Sequence, residues 1–423
     1  MRPSDAAARA FGGRRARLAI ALVTVVVFAT FTATATTSRQ GTVGEGFKVV
    51  GTWGGNGTAP GKFDTTALGL ATDKDGTVYV ADSRIQSFSA KGAFKQLFAF
   101  TAGGTVSDVA VGPDGDVWGT TQVGAQVRRF PKGGGAPEDF ATPKSAEGIG
   151  IDAEGNLYVS IMGDEIVGAV VRFDRTPSGW EPAKTWVGSG FQAPGDVEVS
   201  PDGSIYVADR RGAPPNVKRF DSTGKLLNTI KLQMPATAGA GAQFGLAVDL
   251  DCNVWATNPQ ERNMARYSPT GKLLGTATSG DLVGTDVAVG PTGDLYVWDV
   301  YTQSVIHLVE DRSKPAAAAV TGIAVQKKGA GYVARVKYTL AGVACPAQVD
   351  ATASLAGKGI AGKARVKVGA GKATVIEIPL AKGALATVAG TTASATFKIV
   401  LKTNGRPTTQ RSAVKVSVPA SAR

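Results

Sequence analysis

The strongest constraint in this sequence is a sixfold internal repeat that occupies residues 69–299. Each copy has an apolar segment, a tight turn and a second segment centred on an aromatic residue, as in GLATDKDGTVYVAD and DVAVGPDGDVWGTT. The turn position holds Gly76, Gly115, Gly155, Gly203, Cys252 and Gly293, and the aromatic position holds Tyr79, Trp118, Tyr158, Tyr206, Trp255 and Tyr296. Glycine suits the positive φ of a two-residue hairpin turn. Each repeat is therefore predicted to begin with two antiparallel strands.

The remainder of each repeat predicts two further strands. Third-strand segments end in RIQSF, VRRF, VVRF, VKRF, MARY and VIHL, and a turn with a fourth strand follows in STGKLLNTIKL. Four antiparallel strands that recur every 39 to 49 residues are typical of a β-propeller blade. We predict an all-β fold with a six-bladed β-propeller over residues 47–311, a linker over 312–318 and a basic Ig-like β-sandwich over 319–423. The second domain is predicted from short alternating segments such as YVARVKYTL and ATVIEIPL.

The stretch FKVVGTW, residues 47–53, has no strand partner beside it in the sequence. The sixth repeat ends after its third strand, SVIHLVED, and lacks a fourth strand. The orphan strand can supply it and close the ring, which leaves no open sheet edge. We predict that Val49 and Val50 pair with residues 305–308, and that GGNGTAPGKF is the turn of ring closure.

The N-terminal 35 residues have the composition of an export signal. Arg14, Arg15 and Arg17 precede an uncharged run, and Ala33-Thr34-Ala35 offers a small-x-small cleavage site before a linker over 36–46. The uncharged run is also about long enough to cross a bilayer, so an uncleaved membrane anchor is the alternative. Both interpretations predict an exported protein that is secreted or held at the outer face of the cell envelope.

Charge is segregated along the chain. The overall net charge of +12 combines residues 36–311, with 23 Lys+Arg against 31 Asp+Glu, and residues 312–423, with 18 against 2. A basic domain in an exported protein predicts attraction to anionic wall polymers or lipid head groups, and export argues against nucleic acid as the partner. The alternatives are that its lysines only solvate outward faces, or that the domain docks on its own acidic propeller.

The repeat alignment also predicts which acidic residues share a face. In propellers the start of the first strand and the end of the second lie on one face, here called the top, and the glycine turns lie on the bottom. The top channel entrance is predicted to hold Asp108, Asp196 and Asp286, alternating with Gly69, Gly148 and Gly245; Asp82, Asp209 and Asp299 lie farther out on the same face. These aspartates are candidates for binding a protein, peptide or small-molecule ligand, and the first three for binding calcium, which prefers oxygen ligands. The alternative is that each carboxylate accepts N–H bonds in its own turn.

Three further positions depart from the repeat. Glu198 stands where the other copies have Ala or Gly, which predicts a carboxylate near the channel axis and a further ligand candidate. Cys252 replaces a turn glycine on the predicted bottom face, and Cys345 is the second of two cysteines. Since two thiols of an exported protein often pair, a disulfide between the domains is a candidate.

The repeat region resembles a known family. WGGNGTAPGKF followed by GLATDKDGTVYVADSRIQSF is similar to the NHL repeat of secreted bacterial type, and this resemblance implies a six-bladed propeller over residues 47–311. The match is loose where the aspartate after the second strand is Thr121, Ile161 or Asn258.

Resemblance also raises an enzymatic alternative. The second copy is similar to repeats of streptogramin lyases. Some propellers with NHL-like repeats are lactonases, and that resemblance implies calcium held by Glu, Asn and Asp. The single histidine, His307, rules out a site with two or three histidine ligands. A non-catalytic binding platform is therefore predicted, with a metal-dependent lyase or lactonase on the acidic top face as the alternative.

Overall fold

The computed structural model describes residues 47–64, 69–100, 105–121, 123–162, 168–234, 244–278, 283–310, 318–328, 331–340, 345, 347–355, 359–368, 373–381, 394–403 and 406–417. All regular structure in these ranges is β-strand, and no helix within them is long and apolar enough to span a membrane. The predicted export signal or anchor lies outside the described residues.

Six four-stranded antiparallel sheets form the repeat region, which confirms the predicted all-β fold with a six-bladed propeller. Blades 1 to 3 contain β2 (Gly69–Thr72), β3 (Val78–Ala81), β4 (Ile85–Phe88), β5 (Phe94–Phe98), β6 (Val106–Val111), β7 (Val117–Thr121), β8 (Gln126–Phe130), β9 (Glu138–Ala141), β10 (Ser145–Ile151), β11 (Leu157–Met162), β12 (Gly168–Thr176) and β13 (Gly179–Phe191). Blades 4 to 6 contain β14 (Pro194–Val199), β15 (Ile205–Asp209), β16 (Asn216–Phe220), β17 (Leu226–Lys231), β18 (Leu246–Val248), β19 (Val254–Asn258), β20 (Asn263–Tyr267), β21 (Leu273–Thr278), β22 (Gly284–Val289), β23 (Leu295–Asp299) and β24 (Ser304–Glu310), with β1 (Phe47–Gly54).

The core lies between neighbouring blades. The second strands, such as β7, β15 and β19, are buried along their whole length, because a sheet faces them on both sides. Tyr206 of β15 and Phe244, which precedes β18, belong to one buried cluster that joins blades 4 and 5. Packing of this kind repeats around the ring, so each aromatic of the repeat fills the space between two sheets.

Ring closure follows the predicted strand pairing. β1 is antiparallel to β24 at the outer edge of the sixth sheet, with Val49 opposite Leu308 and Trp53 opposite Val305. Val50 was also predicted to pair, and this is wrong: the register shifts between Val49 and Gly51, and the side chain of Val50 is 56% exposed. An extra residue at this point is accommodated as a bulge, because the outer edge of the sheet has no further strand to constrain it.

The turn after β1 packs against the first and sixth blades. Phe63 is fully buried, and its ring centroid lies 4.9 Å from that of Trp298 and 5.5 Å from that of Phe88. Gly54 has a φ of 114°, and a Cβ atom there would clash with the Phe63 ring. The glycines of this turn therefore serve chain reversal and close packing at the junction of the ring.

The C-terminal region forms two sheets that contact each other. One has the order β25-β26-β29 and the other β28-β27-β30-β31. Their bounds are β25 (Ala318–Lys328), β26 (Gly331–Leu340), β27 (Ala347–Leu355), β28 (Gly359–Val368), β29 (Ala373–Pro379), β30 (Ser394–Thr403) and β31 (Arg406–Ser417). Val336, Val349 and Ile376 are fully buried, in line with a core of aliphatic residues.

The topology is related to that of an immunoglobulin domain but differs in one strand. A constant-type immunoglobulin domain has two sheets with the strand orders ABED and CFG. Its fourth strand, D, therefore lies beside its fifth strand, E. Here the fourth strand of the domain, β28, pairs with the third strand of the domain, β27, in the second sheet. The domain is a seven-stranded arrangement of three and four strands, and its Ig-like character stays a prediction.

Candidate functional site at the top of the channel

Six equivalent positions at the start of the first strands form a ring, here called the waist ring: Gly69, Asp108, Gly148, Asp196, Gly245 and Asp286. Each aspartate accepts a backbone N–H from the next blade around the ring, which ties blade to blade. The donors are Ile149 N to Asp108 Oδ2 (2.9 Å), Leu246 N to Asp196 Oδ2 (2.6 Å) and Leu70 N to Asp286 Oδ2 (2.5 Å). At least one carboxylate oxygen of each aspartate is thus engaged in holding the ring together. The second oxygen of Asp108 accepts the N–H of Val109 at 2.7 Å.

The glycines of the waist ring have the complementary role. A Cβ atom on Gly69 would lie 2.7 Å from the Cα atom of Asp108, and one on Gly148 would lie 2.8 Å from the Cα atom of Asp196. Real Cβ atoms do not approach backbone so closely, so these positions require glycine. Aspartate and glycine alternate around the ring. Each aspartate packs against the glycine of the preceding blade and accepts a hydrogen bond from a backbone N–H of the following blade.

A pocket lies above the waist ring, and we call it the channel-mouth pocket. It has a volume of about 40 Å³ and is lined by Ser107, Asp108, Glu147, Gly148, Gly195, Asp196, Arg210, Phe244, Gly245, Thr285 and Asp286. This volume is enough for about three water-sized groups. The pocket therefore has carboxylates at its base and a mixed rim of hydroxyl, charged and aromatic side chains.

Two hydroxyl groups of the rim have no partner among the described residues. Ser107 is 8% exposed, and its Oγ atom makes no hydrogen bond. The Oγ1 atom of Thr285 is also buried without a partner. Buried polar atoms are usually hydrogen-bonded, so unpartnered atoms that line a pocket point to a bound group.

The rest of the rim combines a charge pair with an apolar wall. Arg210 Nη2 lies 2.8 Å from Glu147 Oε2, and both side chains are largely buried. Phe244 is 3% exposed and belongs to blade 5. The rim thus offers a surface that can contact the stem of an organic ligand.

The carboxylates beneath the rim influence one another. Burial, followed by the charge of Asp196, raises the pKa of Asp108 well above its usual value, and burial with the charges of Asp196 and Asp108 does the same for the pKa of Asp286. Burial raises the pKa of Asp196 to about 6, although two backbone N–H groups and the positive charge of Arg210 oppose the change. The three aspartates are therefore close enough to repel one another, and a cation would relieve this repulsion.

Glu198 lies deeper, in a second cavity of about 150 Å³ along the channel. Its equivalents in other blades, including Ala71, Ala247 and Ala288, line the same cavity, as the repeat alignment predicts. Burial and the charges of Asp196 and Asp108 raise the pKa of Glu198 well above its usual value. The structure therefore places Glu198 below the waist ring and inside the channel.

The three outer aspartates are engaged within their own blades. Asp82, Asp209 and Asp299 are almost fully buried. Asp209 accepts N–H bonds from Gln192 and Ala193, both at 3.0 Å, and Asp82 accepts one from Arg84 at 3.0 Å. Asp299 Oδ1 accepts the N–H of Tyr301 at 2.9 Å. These carboxylates hold top-face turns, and the structure does not bring them to the channel-mouth pocket.

The described residues contain one cluster of side chains with the spacing of metal ligands, and its two cysteines are bonded to each other. This cluster is Asp202, Cys252 and Cys345 on the bottom face, with ligand atoms within 4.8 Å of one another. The waist-ring aspartates do not form such a group. Calcium at the waist ring stays a prediction.

Basic side chains on the third strands of the blades have a structural role. Arg219 packs over the ring of Tyr206 at 5.6 Å and pairs with Asp202 at 3.0 Å, and Arg266 packs over Trp255 and contacts Asp249. His307 stacks on Tyr296 with a centroid separation of 4.5 Å. The positive groups thus lie between sheets and pair with acidic residues of the bottom turns.

Sequence reasoning missed the rim of the channel-mouth pocket. Ser107, Glu147, Phe244 and Thr285 each precede a waist-ring position by one residue. When the repeat alignment is extended by one residue towards the N terminus, the side chain at this position differs in chemical type from blade to blade. Arg210 has no such signal, because it follows the second strand and reaches the rim only in the folded ring.

Comparisons with known proteins show similarity at the level of fold. No protein-family model matches the sequence, and no curated protein matches it either. Among solved structures, a streptogramin B lyase is 15% identical with a TM-score of 0.44, over 60% of this chain and 96% of that one. The calcium-binding protein regucalcin from Agrobacterium tumefaciens is 15% identical with a TM-score of 0.44, over 61% of this chain and 95% of that one. A catalytically inactive virginiamycin B lyase from Staphylococcus aureus, solved with quinupristin, is 15% identical with a TM-score of 0.41, over 64% and 92%.

Proposed function

We propose that this protein is an exported or envelope-associated binding platform, without catalytic activity, whose top face takes a cationic ligand. The observation that carries the proposal is the channel-mouth pocket, where the unpartnered Oγ atom of Ser107 lies above three mutually repelling aspartates. A positively charged group satisfies both features at once.

The position of the single histidine supports binding over turnover. His307 Nε2 lies 3.2 Å from Asp294, a residue of a bottom turn, and does not line the channel-mouth pocket. An acid–base role at the top face would then rest on carboxylates alone. The lyase or lactonase alternative accordingly depends on Asp196 and Glu198, whose raised pKa values are of the kind that catalytic acids have.

Turnover separates the two functions. The purified protein is incubated with calcium and a panel of lactones, and product is measured for wild type, Asp196→Ala and Glu198→Ala. The platform predicts no turnover above the uncatalysed rate in any of the three. Calcium-dependent turnover that both substitutions abolish would establish the enzyme instead.

We further propose that the C-terminal domain attaches the protein to anionic polymers or head groups of the envelope. Its two acidic residues already pair with neighbouring bases: Asp350 with Arg365 at 2.6 Å, and Glu377 with Lys328 and Arg335. By count, 18 basic residues against two carboxylates leave a net charge of +16 on residues 312–423. An excess of this size attracts polyanions.

Attachment is measured by sedimentation of the full chain with vesicles of phosphatidylglycerol or of phosphatidylcholine. Binding to the anionic vesicles is expected at low salt, with release as salt rises. The variant Lys337→Glu/Lys363→Glu changes two exposed lysines and should bind more weakly. Equal binding to both vesicles, or binding that salt does not change, would contradict electrostatic attachment.

A further inference from the structure

The channel-mouth pocket has properties that distinguish between kinds of cation. Direct coordination of a metal requires several oxygens at about 2.3–2.6 Å from one point. The waist-ring carboxylates are not grouped within 4.8 Å of one another, and one oxygen of each is already bonded to a backbone N–H. These features do not favour a bare metal ion held by all three aspartates.

The neutral part of the lining favours an ammonium group. An ammonium group donates three hydrogen bonds and accepts none, so it suits acceptors of mixed type. Ser107 lines the pocket and is more than nine-tenths buried, and its Oγ atom has no partner among the described residues. Thr285 offers a second unpartnered oxygen, and Asp108 and Asp286 supply negative charge beneath them.

The apolar wall indicates what carries the ammonium group. Phe244 borders the pocket and can contact a methylene stem, as aromatic rings do with lysine side chains. Arg210 and Glu147 form an ion pair at the rim, so together they add no net charge at the mouth. The volume of about 40 Å³ admits a small group such as –NH₃⁺.

From these observations we propose that the channel-mouth pocket binds the primary ammonium group of a lysine side chain presented by a partner protein or peptide. This inference rests on the proposed function, because it names the ligand class of the same pocket. The ammonium nitrogen would donate to Ser107 and Thr285 and lie above the waist-ring carboxylates, while its stem contacts Phe244.

Ionisation of the carboxylates gives the site a pH dependence. The pKa of Asp196 is raised to about 6, and burial and the charges of neighbouring aspartates also raise the pKa values of Asp108 and Asp286. Because a cation binds the ionised form, affinity should rise between pH 5 and pH 8, and ligand binding should release protons.

The test is a titration with N-acetyl-lysine methylamide, followed by calorimetry or NMR. N-acetyl-norleucine methylamide has a similar stem without the ammonium group, and the trimethyllysine analogue has a head group too large for the pocket. Saturable binding of the lysine probe is expected, with the two analogues at least about tenfold weaker. Ser107→Ala should weaken binding of the lysine probe by about tenfold without loss of folding, since the hydroxyl has no protein partner. Ser222→Ala, an exposed serine on the bottom face, is the matched control and should bind as wild type does.

Three outcomes would overturn the inference: equal binding of the lysine and norleucine probes, unchanged affinity in Ser107→Ala, or no saturable binding of the lysine probe. A titration with calcium alone distinguishes failure of the ammonium inference from failure of the proposed function. If calcium binds and the lysine probe does not, the ammonium inference is wrong and the cationic platform stands. If neither binds, both the inference and the cationic ligand of the proposed function are wrong.

Discussion

At the scale of single residues, the position of each carboxylate in the ring determines its role. Asp209 holds a turn of its own blade, Asp108 ties its blade to the next one, and Glu198 faces a cavity inside the channel. The repeat alignment predicted these positions, because the place of a residue within its strand follows from the local sequence. It could not predict the bonding partners of Asp108, because Ile149 belongs to the next blade and is separated from Asp108 by 41 residues.

Glu198 gives a prediction about pH. Its pKa is raised in the folded protein, so the folded state holds a proton that the unfolded chain releases, and stability is lost as pH rises above about 4.5 and through the raised pKa. Glu198→Gln removes the buried charge, and we expect it to raise the free energy of unfolding at pH 8 by at least about 1 kcal/mol, with little change at pH 4. Denaturant unfolding at both pH values measures this. Glu154→Gln, at an exposed turn position, is the control and should show no such difference. A loss of stability at pH 8 in Glu198→Gln would mean that the ionised carboxylate has a stabilising partner.

At the scale of strands and blades, packing is decided by close approach of neighbouring first strands. Gly148 of β10 faces the backbone of Gly195 and Asp196 in β14, and Gly69 of β2 faces Asp108 of β6 in the same way. Glycine at these positions looked unremarkable within its own repeat. Its necessity arises only when the blades stand side by side around the channel.

Gly148→Ala tests this contact. The added methyl group would lie 2.8 Å from the Cα atom of Asp196, so we expect a loss of about 2 kcal/mol or more in the free energy of unfolding. Gly275→Ala in β21 is the matched control, because a Cβ atom there meets nothing within 4 Å, and its stability should stay the same or rise by up to about 1 kcal/mol. Thermal and urea unfolding of both variants decide the matter. Equal effects at the two sites would show that the blades can move apart at little cost.

At the scale of the whole molecule, Cys252 and Cys345 join the propeller to the C-terminal domain. The structure pairs them as a disulfide with Cα atoms 5.3 Å apart, within the usual range for such bonds. Cys252 occupies the turn position that is glycine in the other five repeats, and it keeps the left-handed conformation there with a φ of 60°. The chain thus tolerates an unfavourable backbone conformation at the place where a sulfur atom can reach the second domain.

The disulfide gives a prediction about the stability of the two domains when the bond is removed. Non-reducing peptide mapping should recover residues 252 and 345 in one linked fragment. Cys345→Ser should lower the stability of the C-terminal domain by about 2–4 kcal/mol, seen as earlier release by protease. In Cys252→Gly/Cys345→Ser the turn regains its usual glycine, so the propeller should unfold at least as late as in Cys345→Ser alone. Recovery of two free thiols from the untreated protein would contradict the bond.

By itself, the sequence determined the all-β class, the number of blades and the closing strand, since these follow from local strand patterns repeated six times and from one strand missing at the end. Only the tertiary structure decided the bulge at Val50, the contacts between blades that make aspartate and glycine alternate in the waist ring, and the rim of Ser107, Phe244 and Arg210. The physical reason is that these features are made by residues of different blades. Their contacts depend on how closely the sheets approach around the axis, and that spacing is a property of the closed ring.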